Sequence, residues 1–537
     1  MTIDTTRASG VLLHPVSLPD PGRAETSGKA PASSTLPAPG SGDFGQSAFD
    51  FVDWLAAAGQ QLWQVLPLGP AGPGNSPYMS PSAFALNPLL IDLQDLLSKG
   101  WLDPAVAQQV AAATPPGTRA DAGNRIDYAT VTRFRMACLR EAARRFFSTT
   151  TARDDFNLFC AKEATWLDDY ALFMTIGERH PNLAWHQWPA SLAGRDPAAL
   201  TDARKRWHDE IGFWAFVQWT AYRQWSAVRR HAGERGVRII GDLPIFVALH
   251  SADVWANPAL FDLDSHLRPR VVAGVPPDYF SATGQLWGNP VYRWDRHAEE
   301  NYAWWIRRVR AALTTADLVR IDHFRGFAAY WEVPADALDA IDGNWILGPG
   351  LAFFDAVTAD LRRHPGSGLG DLQSARLPII AEDLGTVTPD VTALREAVGL
   401  PGMRVLQFAF GDDANNLYLP HNYSRDTVVY SGTHDNDTSL GWFSAAPASE
   451  RARTQVYLKT DGREINWDLI HAASQSVAGM AIYPLQDVLG LGSDARMNRP
   501  GDAEGCWGWR FNWRQVQPWH AERLKQISAA HGRNGLR

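Results

Sequence analysis

Short apolar runs that stop in polar or glycine-rich residues recur along this chain, with helical text between them. They are SGVLLHP (9–15), QLWQVLPLGP (61–70), VRIIGDLPIFV (237–247), ADLVRIDHF (316–324), LPIIAEDLG (377–385), MRVLQFAFGD (403–412) and TVVYSGTHDND (427–437). AYWEVP (329–334), fifth in chain order, is a weaker eighth. Runs apolar at consecutive positions read as strands buried on both faces, as in a parallel sheet under helical covers. Segments such as SAFDFVDWLAAAG (47–59) and VTPDVTALREAVG (387–399) have helical periodicity. Alternating β and α over 537 residues predicts a parallel α/β fold, and eight strands favour a (β/α)8 TIM barrel. An open doubly wound sheet is the alternative, since neither fold needs a glycine-rich phosphate loop.

The interval between the second and third runs is long, 90–236, and mostly helical. In IGFWAFVQWTAYRQW, residues Ile211, Trp214, Val217, Ala221 and Trp225 recur at spacings of three and four, which gives one apolar face. This interval reads as an inserted helical subdomain. A second insertion, 250–300, holds GVPPDYFSATGQLWGNPVY (274–292), rich in Gly, Pro and aromatics, and reads as an ordered loop. Residues 20–43, DPGRAETSGKAPASSTLPAPGSGD, are low-complexity and are expected to be mobile.

Composition excludes several classes. Net charge is −8, from 50 basic and 58 acidic residues, without a long basic run, which argues against nucleic acid or an anionic membrane as partner. Three scattered cysteines, Cys138, Cys160 and Cys506, give neither a metal-spaced cluster nor a disulfide framework. The first residues lack a cationic segment followed by a long apolar one, and no run approaches a membrane span. The expectation is a cytoplasmic protein. The 23 tryptophans raise a carbohydrate reading slightly, because indole faces suit sugar rings.

In a parallel barrel the active site lies at the C-terminal strand ends. Counted in chain order, strand three ends with Asp242, strand four with Asp322, strand six with Glu382 and Asp383, and strand eight with Asp435 and Asp437. His14, His323 and His434 join them. Buried charges cost several kcal/mol unless paired, so converging carboxylates need a compensating role. Glycosyl transfer or hydrolysis uses one carboxylate as nucleophile and one carboxylic acid as proton donor. Metal-assisted hydrolysis also uses Asp, His and Glu. It is the weaker reading here, because no H-x-H or HExxH occurs and strand neighbours point to opposite faces. Arg320 and Asp322 are two apart and so share a face. A guanidinium there would favour the ionised carboxylate that a nucleophile requires, or would form a structural ion pair.

GDLPIFV (241–247), VRIDHFRGF (319–327), IIAEDLG (379–385) and SGTHDNDT (431–438) resemble the four sequence regions of the 4-α-glucanotransferases, also called amylomaltase or disproportionating enzyme. Further similar blocks are SGVLLHPVSLP (9–19), LWQVLPLGPAGPGNSPY (62–78), PPDYFSATGQLWGNPVY (276–292) and QDVLGLGSDARMNRPG (486–501). This resemblance, to glycoside hydrolase family 77, covers nearly the whole chain in order. It implies a TIM barrel of the α-amylase superfamily with no C-terminal β-sandwich domain, no cofactor and no metal. It also implies a transferase that moves α-1,4-glucan segments between maltooligosaccharides or starch-like donors and the 4-hydroxyl of glucose or another glucan. An α-1,4-glucan hydrolase of the same superfamily is the alternative.

Position by position, the resemblance implies that Asp322 is the nucleophile and that Arg320 keeps it ionised. It makes Glu382 the general acid/base and Asp435 the third carboxylate. It sets Tyr78, Asp242 and His434 around the sugar whose bond breaks, and Phe280, Gln285 and Trp287 in a loop over the cleft. Asp383 could bind sugar or brace the strand end. Asn498 could touch substrate or hold a turn before Pro500. Asp437 and Thr438 are expected to order their loop, and His14 and His323 to be satisfied structural histidines. The chain departs from the family pattern in the 20–43 segment, in Met79 where glutamine is common, and in Leu86 where glycine is usual.

Overall fold

The computed structural model describes residues 7–19, 40–113, 124–149, 151, 153–277, 281–363, 376–385, 387–502 and 504–535. Its strands, in chain order, are β1 (Ala8–Leu12), β2 (Leu62–Gln64), β3 (Arg238–Pro244), β4 (Val271–Val275), β5 (Gln285–Pro290), β6 (Leu318–Asp322), β7 (Ala329–Pro334), β8 (Asn344–Leu347), β9 (Ile379–Ala381), β10 (Gly402–Val405), β11 (Thr427–Tyr430) and β12 (Met480–Pro484). Eight of them close a parallel barrel in the order β1-β2-β3-β6-β9-β10-β11-β12. β1, β9, β11 and β12 are buried at every position, as strands with a packed barrel interior on one side and helices on the other must be. At Gly10 the barrel is so tight that a Cβ would collide with the Leu62 carbonyl oxygen of the neighbouring strand. Arg533 seals the seam between β1 and β12. Its guanidinium is fully buried and donates to the carbonyls of Ala8, Ser474 and Ala478.

One strand assignment is corrected. AYWEVP is not in the barrel: β7 pairs antiparallel with β4 and β8 in a separate four-stranded sheet ordered β5-β4-β7-β8. Its half-exposed residues suit a sheet with one open face. The eighth barrel strand is β12, five residues that the sequence reading passed over. Glu382 and Asp383 therefore follow the fifth barrel strand, and His434, Asp435 and Asp437 follow the seventh.

Between β2 and β3 stand mainly helices, the longest being Tyr128–Thr149, Asp154–Arg179 and His208–Glu234. Asp92, Asp103 and Asp196 cap helices in this interval by accepting backbone N–H groups, the last two with proline at the first helical turn. On His208–Glu234, Trp214, Val217, Ala221 and Trp225 are buried. Trp225 reaches the barrel layer, packing on Phe44 at 4.9 Å and on Trp63 of β2 at 5.9 Å. Within the 20–43 segment, residues 20–39 lie outside the described residues, but 40–43 are packed rather than mobile. Gly42 donates to the Val16 carbonyl at 2.9 Å, and buried Asp43 pairs with buried Arg135 at 2.9 Å. Among the described residues no helix is long and apolar enough to cross a membrane, and no cluster of His, Cys, Asp and Glu could hold a metal.

Candidate active site

β6 sets the centre. Its parallel register with β3 puts Asp242 opposite Arg320 and Pro244 opposite Asp322. The Arg320 guanidinium is 4% exposed. Its Nη1 donates to both oxygens of Asp242, at 2.9 and 2.8 Å, and its Nη2 to Asp322 Oδ1 at 2.7 Å. Its Nε faces Met403 Sδ at 3.3 Å. One buried cation is thus shared by two carboxylates, which compensate its removal from water. Burial would lower the Arg320 pKa, but Asp242 and Asp322 outweigh it and hold the group well above its usual value. Asp322, at the strand end, is more open than its partner.

The contacts continue away from β6. Tyr78, in the turn Pro77–Met79 after β2, donates its hydroxyl to Asp242 Oδ2 at 2.8 Å and lies 2.9 Å from His434 Nε2. The hydroxyl's proton goes to the carboxylate, so His434 donates to the tyrosine oxygen. The two rings stack at 5.3 Å with 8° between planes. His434 Nε2 also lies 3.4 Å from Asp435 Oδ1, which accepts from Asn498 Nδ2 at 2.6 Å. Hydrogen bonds therefore link the ends of β3, β6 and the loop after β11.

That loop is pinned from below. Asp487, 1% exposed, accepts Ser431 Oγ at 2.6 Å, Ser439 N–H at 2.7 Å and Ser439 Oγ at 2.7 Å. It ties together both ends of the segment that carries His434 and Asp435. Arg496 Nη2 holds the Asp435 carbonyl at 2.6 Å, and Asn498 N–H the His434 carbonyl at 3.1 Å. Asp437 accepts Ser493 Oγ at 2.7 Å, and Thr438 caps the next helix through the Gly441 N–H. Asp487 and Arg496 were not singled out from sequence. Both lie in or beside the block QDVLGLGSDARMNRPG, yet nothing local distinguishes them, because their partners are some 50 to 60 residues away.

Glu382 follows β9. Its Oε2 accepts the His323 N–H at 2.7 Å and its Oε1 the Leu384 N–H at 2.8 Å. His323 has φ 53°, a left-handed turn that aims its N–H across to the neighbouring strand. The residue next to Asp322 thus anchors Glu382, and the two carboxyl groups hang from adjacent strand ends. Burial, reinforced by the Asp322 charge and opposed by Arg320, pushes the Glu382 pKa up to about 7.

Asp383 braces the end of its strand. It is 3% exposed, accepts the Met403 N–H at 2.7 Å, and lies 3.3 Å from both Arg395 and Arg404. His14 and His323 are not satisfied as expected: His14 Nδ1 and His323 Nε2 are buried without a hydrogen-bond partner among the described residues. Burial lowers their pKa values to about 3 and about 4, so both are neutral.

Over this centre lies the end of the second insertion. Trp287 sets its ring edge-on to His323 at 4.7 Å and donates to Gln285 Oε1 at 3.2 Å. Gly284 has φ 68°, and a Cβ there would collide with the Val275 carbonyl, so the turn requires glycine. The Thr283 carbonyl accepts the Ala340 N–H at 3.0 Å, which ties this turn to the loop between β7 and β8. Phe280 lies outside the described residues.

Comparison with known proteins gives one consistent answer. A family model described as 4-alpha-glucanotransferase matches residues 32–516. The 4-alpha-glucanotransferase of a Synechocystis strain is 46% identical over 532 residues, covering 98% of each chain. That of Thermus thermophilus is 46% identical over 537 residues with the same coverage. An amylomaltase from Streptococcus agalactiae, solved in complex with acarbose, superposes with TM-score 0.88 at 35% identity, covering 98% of this chain and 99% of the other.

Proposed function

This chain belongs to the 4-alpha-glucanotransferase family, and we propose that it works by retaining double displacement with Asp322, Glu382 and Asp435 in the reacting roles. Its activity is that of a 4-alpha-glucanotransferase. The relatives' names disfavour the hydrolase alternative. In the first step Asp322 attacks the anomeric carbon of an α-1,4-glucan. Glu382 gives its proton to the departing oxygen, and the reducing-end fragment leaves. A β-linked glucosyl-enzyme remains. In the second step Glu382, now ionised, takes the proton from the 4-hydroxyl of an incoming glucose or maltooligosaccharide, whose oxygen displaces Asp322. Two inversions return an α-1,4 bond.

The observation that carries this reading is the asymmetry between two adjacent carboxyl groups. Asp322 sits on the Arg320 guanidinium at 2.7 Å, while Glu382 is buried with its pKa near 7. One is paired with a buried cation and the other is poised to exchange a proton, the division of labour that general acid catalysis at neutral pH needs. Asp435, oriented by Asn498 and His434, would accept sugar hydroxyls of the distorted ring. Tyr78, Asp242 and His434 would line the same subsite, with Asn498 at its edge. Trp287, Gln285 and the Phe280 loop would cover it, favouring a sugar acceptor over water.

Product analysis from maltotriose tests this. Wild type should give glucose and a ladder of longer maltooligosaccharides, and Asp322→Ala should give neither. Glucose and maltose without a ladder would refute transfer, and a ladder from Asp322→Ala would refute the nucleophile.

A further inference from the structure

Trp507 takes no part in the reaction above, yet its backbone is strained. Its φ is 63°. The left-handed region crowds the Cβ of a side chain against the backbone, and a bulky residue there is an outlier. Glycine adopts it freely, and the chain has glycines close by at Gly505 and Gly508. Strain of this kind persists only where the surrounding structure over-determines it, and it clusters at active sites.

What the strained residue delivers is its indole. The ring is buried and packs on both members of the stacked pair, 5.7 Å from Tyr78 and 5.9 Å from His434. Its backbone is held from two sides. The N–H donates to the Met497 carbonyl at 2.7 Å, and Met497 stands between Arg496 and Asn498, which both hold Asp435. The carbonyl accepts the Tyr128 hydroxyl at 2.8 Å, from the first residue of the helix Tyr128–Thr149 in the insertion between β2 and β3. The chain beyond is paired with the same insertion. The Gly508 carbonyl accepts the Ile126 N–H at 2.8 Å, and the Arg510 N–H donates to the Asn124 carbonyl at 2.9 Å. A ring fixed in this way backs Tyr78 where it meets Asp242 and His434 where it meets Asp435. Filling the core does not require a strained backbone. At 6% exposure the indole also has little face to offer a sugar.

We propose that Trp507 is a positioning residue, which holds the Tyr78 and His434 rings in register with Asp242 and Asp435 and through which the helical insertion sets the geometry of the reacting subsite. The proposal rests on the glucanotransferase reading of that subsite.

Glucose release from maltotriose and calorimetric unfolding test it. Trp507→Ala should lower kcat roughly tenfold or more, the loss of the aromatic contacts felt in the transition state, with KM changed less than about threefold. Trp507→Phe keeps a ring and should stay within about threefold of wild type. Trp507→Gly removes the ring but relieves the backbone, so it should unfold at a higher temperature than Trp507→Ala and be as slow. A merely structural role would not separate rate from stability in this way. Tyr128→Phe leaves the indole in place, frees its carbonyl anchor and should lower kcat about threefold. Four results would each overturn the proposal: a Gly variant that regains rate in step with its unfolding temperature, a Phe variant as slow as the Ala variant, a folded Trp507→Ala with kcat within about twofold of wild type, or Tyr128→Phe at wild-type kcat. The Phe and Tyr128 variants keep the test decisive if Trp507→Ala does not fold. Failure of wild type to elongate maltotriose would instead refute the reaction reading, and glucose release would still rank the variants.

Discussion

Tyr78→Phe removes one oxygen from the centre of the candidate site and leaves the ring in place. The lost hydroxyl donates to Asp242 at 2.8 Å and meets His434 Nε2 at 2.9 Å. A hydrogen bond to a charged group contributes about 1.5–3 kcal/mol and a neutral one about 1 kcal/mol. The substitution should therefore cost about 2–4 kcal/mol of local interaction. Asp242 keeps its two bonds from Arg320, and the stacked ring pair with His434 survives, so the chain should fold. What is lost is the link that fixes the loop of His434 and Asp435 against the strand of the nucleophile. If about half of the cost is felt in the transition state, kcat/KM for maltotriose falls roughly 5- to 30-fold. Glucose release measures the rate, and calorimetry measures the unfolding temperature. A folded variant with kcat/KM within about twofold of wild type would refute the reasoning, and a lowered unfolding temperature alone would make the link purely structural.

Three further outcomes are expected. With Glu382 at about 7, its protonated fraction falls tenfold per pH unit above that value, so log(kcat/KM) should decline with slope −1 on the alkaline side. A flat profile to pH 9 would remove Glu382 from the acid role. Asp487→Asn turns an acceptor of three donors into a group whose amide nitrogen cannot accept, leaving a buried donor of Ser431 or Ser439 unmatched. Its kcat should drop roughly tenfold or more with KM little changed, and equal falls in wild-type and variant rates on heating, with no kcat difference at 25 °C, would show that Asp487 positions nothing. Asp383→Ala strips the anion from Arg395 and Arg404 and should destabilise the fold by about 3–5 kcal/mol, with kcat/KM of the folded enzyme preserved. A loss of kcat/KM at unchanged stability would instead make Asp383 a sugar ligand.

Much of the barrel was legible in the sequence because burial on both faces is a local property, written as consecutive apolar residues. The Arg320–Asp322 contact was legible for a similar reason, since a spacing of two fixes a shared face. Helix starts at Asp92, Asp103 and Asp196 are set as locally, each by a side chain that caps its own first turn, although the sequence reading did not single them out. Which sheet a run joins is not local. β7 and β12 are both short and apolar, yet closure of the ring admits only one, and the strand order decides which.

The same division runs through the site. Sequence by itself determined the carboxylates at the strand ends, and a resemblance in order along the chain attached roles to them. Tertiary structure alone decided that Asp242 shares one guanidinium with Asp322, that Asp383 faces Arg395 and Arg404, and that Asp487 pins the loop of Asp435. Each of these depends on strand register or on groups far apart in the chain. The physical reason is that local pattern specifies which face of an element is buried, whereas a charge's partner, and hence its pKa and its chemistry, is chosen by what the closed barrel brings opposite it.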